Sequence, residues 1–335
     1  MKYLIEIHHG IGDVVQVTGL VDTILLNDKT AEISLIINKY SYSDLFKYDN
    51  RIKNFYVIDL KNMSKIELLK ETIIMRKERF DFLFVCPISN AKMAYFLAKL
   101  IGANMTIAEQ INEIGEKIKK VDCANLHIVK KYEKLYLSSN LGKKIAIPRL
   151  IVDPILNPYS ELKSYIVLCV GTSTAKKSWA LYKYIEIAEH MHNKGLDIVI
   201  LGGKKEEIEL KQCQLPNYIR NYAGKLELLE SARVCKDAEL VIGGDTGVMH
   251  MAAAVGAKTL TLFSCTDPKL HCPYSKKSYY YNIKLECQYC YERGEDSLCH
   301  DFKCINYIET NDVLKLAEEI LNSNVESKYY FRLED

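Results

Sequence analysis

The chain has 335 residues, 48% of them apolar and 26% charged, with only 16 glycines and 7 prolines. That length corresponds to about two average domains, and the composition excludes a disordered or collagen-like chain. The 45 Lys and Arg nearly balance 43 Asp and Glu, for a net charge of +2, so there is no basic footprint for a nucleic-acid partner.

In chain order, the start (Met1 to His9) alternates apolar and polar residues and lacks the continuous apolar stretch of a secretory signal, so a cytoplasmic protein is expected. No window reaches the roughly 20 apolar residues needed to cross a bilayer, which makes any membrane contact peripheral. Strand-like runs fall at Tyr3 to Ile7, Ile33 to Ile37, Phe55 to Ile58 and Phe82 to Cys86. Helical periodicity covers Val14 to Leu26, Lys65 to Lys77 and Ala91 to Leu100. The alternation restarts near residue 160. Strands are expected at Tyr165 to Val170, Asp197 to Leu201, Leu240 to Ile242 and Thr259 to Phe263, and helices at Tyr182 to Asn193, Lys205 to Gln212, Leu226 to Lys236, Met249 to Val255 and Asn311 to Asn322. Pro148, Pro154 and Pro158 interrupt the pattern. We therefore expect two doubly wound α/β domains, 1–155 and 156–335, with ligand loops at the C-terminal ends of parallel strands beside a shared cleft.

Three loops carry chemistry. Gly10-Ile11-Gly12-Asp13 leads from the first strand into a helix: the glycines permit a tight turn, and the bland reading of Asp13 is an N-cap. The Gly-x-Gly alone is a degenerate dinucleotide fingerprint, since Val15 stands where a third glycine belongs. Gly171-Thr172-Ser173-Thr174-Ala175-Lys176-Lys177-Ser178-Trp179 combines hydroxyls with two lysines as a phosphate cradle. Its Trp179, the single tryptophan, reads as a packing residue. Gly243-Gly244-Asp245-Thr246-Gly247 opens a helix whose N–H groups suit an anion, and His250 lies one turn further on.

Together these loops resemble glycosyltransferase family 9, the ADP-heptose heptosyltransferases. The match includes Gly10 to Asp13, Lys177-Ser178-Trp179, Gly202, Gly203 and Glu206. It continues through Asp245, Thr246, Gly247, His250, Ala252 and Ala253 to Thr266-Asp267-Pro268 and Pro273-Tyr274. The chain departs from the family pattern at Phe263-Ser264-Cys265, where Phe-Gly-Pro is usual, and at Gly244, which replaces a common Asn. The resemblance implies a GT-B architecture, an acceptor domain followed by a nucleotide-sugar domain, with the last helix crossing back to the first. It further implies an inverting transfer with Asp13 as general base beside Gly10 and Gly12. The diphosphate would lie on Lys177, Thr246, Gly247 and His250 with the Thr172 loop, the donor sugar on Asp245 and the ribose on Glu206. No Asp-x-Asp occurs anywhere, so no catalytic metal is expected.

The chain has 11 cysteines, and seven of them (Cys86, Cys123, Cys169, Cys213, Cys235, Cys265, Cys272) sit on or near apolar segments and read as small core residues. Cys287-x₂-Cys290 and Cys299-x₄-Cys304 have metal-ligand spacing and suit a structural zinc or iron; disulfides or free thiols are the alternative. His300 is a spare ligand.

The expected partners are an ADP-heptose-like nucleotide sugar and a glycan, glycolipid or protein hydroxyl acceptor. The lysines of Gln110 to Lys120 either meet an acidic acceptor or form a solvated helix face. Tyr329-Tyr330-Phe331 is available to pack on the first domain or to join copies of the chain in a homo-oligomer. Competing readings are a different nucleotide-sugar donor, a nicotinamide oxidoreductase, which leaves the Asp245–His250 loop without a task, and a non-catalytic sugar-nucleotide-binding protein.

Overall fold

A computed structural model describes residues 1–7, 10–59, 62–112, 115–158, 161–162, 164–172, 174–323 and 331. It divides into two compact units, Met1–Ile151 and Val152–Asp335.

In the first unit the strands are β1 (Lys2–Ile7), β2 (Glu32–Ile37), β3 (Ile52–Val57), β4 (Phe82–Phe84), β5 (Met105–Ala108) and β6 (Ile118–Lys120). They form one sheet in the order β3-β2-β1-β4-β5-β6, with every pair parallel. The helices are α1 (Ile11–Gln16), α2 (Thr18–Asn27), α3 (Lys65–Lys77), α4 (Ala91–Ile101) and α5 (Ile128–Ser138). Covered on both faces, β1 buries Tyr3, Leu4, Ile5 and Ile7 completely, which is why a central parallel strand reads as a continuous apolar run.

The expected helix over Val14 to Leu26 is two helices broken at Val17. The hydroxyl of Thr18 donates back to the Val15 carbonyl at 2.6 Å, a bond that bends a helix. The same hydroxyl accepts from Arg149 N–H at 2.9 Å, while Thr23 Oγ1 and Asn27 Oδ1 accept from Ala146 and Lys144 N–H. Residues 144–149 are thus laid along α2. Gln110 to Lys120 is not a helix face: its described end is the edge strand β6, which leans on β5 alone. Glu113 and Ile114 lie outside the described residues.

The second unit repeats the topology. Strands β7 (Tyr165–Cys169), β8 (Asp197–Leu201), β9 (Ile219–Asn221), β10 (Leu240–Gly244), β11 (Thr259–Leu262) and β12 (Ser278–Tyr281) take the order β12-β11-β10-β7-β8-β9, again all parallel. The helices are α6 (Leu181–Asn193), α7 (Lys204–Lys211), α8 (Leu228–Lys236), α9 (Gly247–Ala254), α10 (Pro268–His271), α11 (Lys303–Asn306) and α12 (Thr310–Leu321). In each unit the chain winds outward from a central strand and then restarts on its other side, so both sheets have a switch point: β1/β4 in one and β7/β10 in the other. Ligands of doubly wound folds bind beyond the strand ends at such points.

Trp179 packs edge-on against Tyr184 at 4.9 Å and donates from its indole N–H to the Ile308 carbonyl at 3.0 Å, which makes it a core residue. The ammonium of Lys183 is buried on the Asn306 and Ile308 carbonyls. The last helix, α12, packs on its own unit. Its stripe Val313, Leu316, Ala317 and Ile320 is consumed in the second unit's own core, with Ile187, Ile242 and Leu262. Phe331 likewise packs on Tyr274 of its own unit at 5.7 Å, and Tyr329 and Tyr330 lie outside the described residues.

Candidate active site

In the second unit, the β7 and β10 ends bring two polar loops together. Glycine is required where they touch, because a Cβ at Gly244 would stand 2.7 Å from the Lys177 carbonyl oxygen and 2.9 Å from Thr172 Cγ2. The usual Asn at this position is therefore replaced here by the residue that permits close approach. Thr172 Oγ1 donates to the Thr174 carbonyl at 2.8 Å, closing the loop ahead of the short turn Ala175–Lys177; Ser173 lies outside the described residues.

Lys177 Nζ lies 2.5 Å from Asp245 Oδ2, and Thr266 Oγ1 donates to that same oxygen at 2.8 Å. Asp245 is buried. Burial opposes its charge, but Lys177, His250 and the Thr266 bond together hold its carboxyl below the usual carboxylate range. Burial likewise opposes the Lys177 ammonium, and Asp245 more than restores it. The site is thus a preformed ion pair rather than a bare lysine awaiting an anion. Thr246 caps α9 through its backbone, leaving the first-turn N–H groups of Gly247 and Val248 without intrahelical acceptors. His250, one turn along, is buried and acts electrostatically on Asp245.

Glu206 caps α7: its carboxylate accepts from Gly203 N–H at 2.8 Å. It also lies against the neighbouring loop, since a Cβ on Gly171 would sit 2.8 Å from Glu206 Oε2. Thr172, Lys177, Glu206, Asp245, Thr246, Gly247 and His250 therefore surround one strand-end region.

The cysteine-bearing loop adds residues that the spacing did not single out. Tyr291 places its ring 5.7 Å from Lys177 Nζ and donates its backbone N–H to the Cys265 carbonyl at 3.1 Å. Asp296 pairs with Lys176 at 2.6 Å, and Glu292 accepts from Asp267 N–H and lies 2.9 Å from His271 Nε2. Cys287, Cys290, Cys299 and Cys304 line one cavity of about 480 Å³ together with Cys265 and His300. Cys265 is thus drawn to the cluster from the supposed core set, and Cys213 is exposed rather than buried. Among the described residues, no three His, Cys, Asp or Glu side chains converge at metal-binding distance.

In the first unit, Gly10 is the N-cap of α1 and Asp13 its third residue: Asp13 Oδ2 accepts from Gly10 N–H at 3.0 Å, while Asp13 N–H donates to the Gly10 carbonyl at 3.1 Å. This corrects the N-cap assignment by three residues. Gly12 lies within the first turn. Behind the loop, the fully buried Glu6 accepts from Cys86 N–H at 2.7 Å and from Ser89 Oγ at 2.8 Å, tying β1 to the loop after β4. Burial raises the Glu6 carboxyl to about 7 despite these bonds. Its folded pKa exceeds the unfolded one, so its contribution is complete below pH 4.5 and is lost as pH rises through 7. Relative to Glu6→Gln, the wild type should lose up to about 3 kcal/mol of stability between pH 4.5 and 8. Denaturant titration at both pH values reads this, and parallel profiles would refute it.

A family model described as glycosyltransferase family 9 (heptosyltransferase) matches residues 118–300. The chain belongs to glycosyltransferase family 9. Lipooligosaccharide heptosyltransferase 2 of Haemophilus ducreyi is 30% identical over 36% of this chain and 37% of its own length. The Haemophilus influenzae protein of the same name is 27% identical over 60% and 65%. These alignments span under two thirds of either relative. Among solved structures, a Veillonella parvula family 9 glycosyltransferase superposes with TM-score 0.79 at 16% identity, covering 96% of this chain and 97% of its own. The Escherichia coli ADP-heptose LPS heptosyltransferase II gives 0.74 at 19%, covering 96% and 99%. The iron-containing dodecameric glycosyltransferase TibC of enterotoxigenic Escherichia coli gives 0.61 at 13%, covering 97% and 77%. These place the fold of this family 9 member among the GT-B enzymes.

Proposed function

We propose that the chain transfers a heptose-type sugar from an ADP-linked donor to a glycan, glycolipid or protein hydroxyl, with inversion. The observation that carries this reading is the Lys177–Asp245–Thr266 cluster at the N-terminus of α9, within the family-matched segment. In this reading the first unit binds the acceptor and the second the donor. Helix N–H groups of Gly247 and Val248, the Thr172 loop, His250 and Lys177 meet the diphosphate, where negative charge grows as the bond to the sugar breaks. Asp245 and Glu206 accept from sugar and ribose hydroxyls. Asp13 removes the proton from the acceptor hydroxyl, the oxygen attacks the anomeric carbon from the face opposite the diphosphate, and ADP leaves. The names of the family relatives support heptose and ADP; the acceptor is open. Mass spectrometry with ADP-, GDP- and UDP-sugars tests the donor: turnover of ADP-heptose is expected. Turnover of a GDP- or UDP-sugar alone would overturn the donor, and binding without turnover would make the protein a sugar-nucleotide binder.

We also propose that Cys287, Cys290, Cys299 and Cys304 hold one structural zinc or iron ion. Their chemistry fits, because thiolates suit either metal and all four line one cavity; four protein thiolates would supply a saturated, cross-linking site without an open position for water. The iron content of TibC favours iron as a candidate. One ion per chain after purification under reducing conditions is the expected result, and substoichiometric metal would overturn it.

A further inference from the structure

Helix α3 is apolar on both faces. Thr72 and Met75 are buried, and Leu68 packs against the first unit's core beside them. Opposite them, Ile66, Leu69, Ile73 and Ile74 are exposed by 69%, 56%, 46% and 48%. At 100° per residue, Leu69, Ile73 and Ile66 fall within one 60° sector. Lys70 and Lys77 border that sector on one side and Lys65 and Arg76 on the other, all four exposed. The acidic residues keep to a different flank: Glu67 is engaged by Ser64 N–H in the capping box at 2.8 Å, with Glu71 and Glu78 near it. Other exposed aliphatic residues, such as Leu156 and Leu298, occur singly, whereas this stripe is contiguous.

We propose that the outward face of α3 docks on an anionic lipid surface, its aliphatic stripe entering the headgroup boundary and its basic residues pairing with lipid phosphates. A second protein of ordinary surface would satisfy the aliphatic stripe alone. The flanking ring of four cations with the acids set aside is what selects an anionic membrane, because each lysine near such a surface strengthens binding about 5-fold.

The test is co-sedimentation of the full chain with vesicles of phosphatidylcholine alone or with 25 mol% phosphatidylglycerol. The wild type should sediment with the anionic vesicles and not with the neutral ones. Lys70→Asn/Lys77→Asn should weaken binding about 25-fold and Ile66→Ser/Ile73→Ser should abolish it. ADP affinity by calorimetry should stay unchanged in both variants, which shows that they fold. Equal wild-type sedimentation with both lipid mixtures, or retained binding by the Ile66→Ser/Ile73→Ser variant, overturns the proposal. A wild-type dimer that these substitutions dissolve, with no vesicle binding, also overturns it and assigns the face to a second copy.

Discussion

Asp13→Asn is expected to lower kcat by about 10²–10⁴-fold, the range typical for loss of a general base, while the Kd for ADP stays within 2-fold. The amide keeps an oxygen that can accept from Gly10 N–H, so this bond at the start of α1 survives and the variant isolates the lost basicity. Asp13→Ala removes both roles and adds up to about 1 kcal/mol of instability from losing a carboxylate in the first turn of α1. Comparing kcat for the two variants at matched folded fraction separates catalysis from support of the helix start. Asparagine turnover near the wild-type rate would remove Asp13 from the chemistry.

The second large effect is at Lys177. Lys177→Met should raise the Kd for ADP by about 10–100-fold, as expected for losing a hydrogen bond from a charged donor. It should also destabilise the protein by about 3 kcal/mol, because Asp245 is then left charged and buried without its cation. The two effects separate in Lys177→Met/Asp245→Asn, which should recover most of the stability and none of the ADP affinity. Calorimetric titration of ADP and denaturant unfolding of the three proteins form the cycle. Unchanged ADP affinity in Lys177→Met would move the diphosphate elsewhere.

The α/β alternation and the three glycine-bearing loops were legible because long apolar strands and turn glycines are local signals. β5, β6, β9, β12 and α5 were not. β6 and β9 have three residues each and carry Lys119, Lys120 and Arg220, so they lack an apolar run, and β12 is a tyrosine-rich edge strand. At the site, the motifs named Lys177 and Asp245 but not that they pair, since that depends on two loops meeting across Gly244. Tyr291, Glu292 and Asp296 were invisible for the same reason: they reach Lys177, Asp267 and Lys176 from 25 to 120 residues away. Helix α12 was read correctly as a helix, but its buried stripe, which fixes where it docks, shows only once its partner surface is known.

The lysines of β6 have another use. A six-stranded parallel sheet ends in two strands with unpaired backbone groups, each a template for another chain. Lys119 and Lys120 are exposed on one such strand, and Lys119 also donates to the Ser138 carbonyl at the end of α5. The first unit ends at Ile151, so its residues, this edge strand included, are synthesised before those of the second. Two positive charges on a three-residue strand repel an identical copy at that stage, protecting the nascent chain from aggregation.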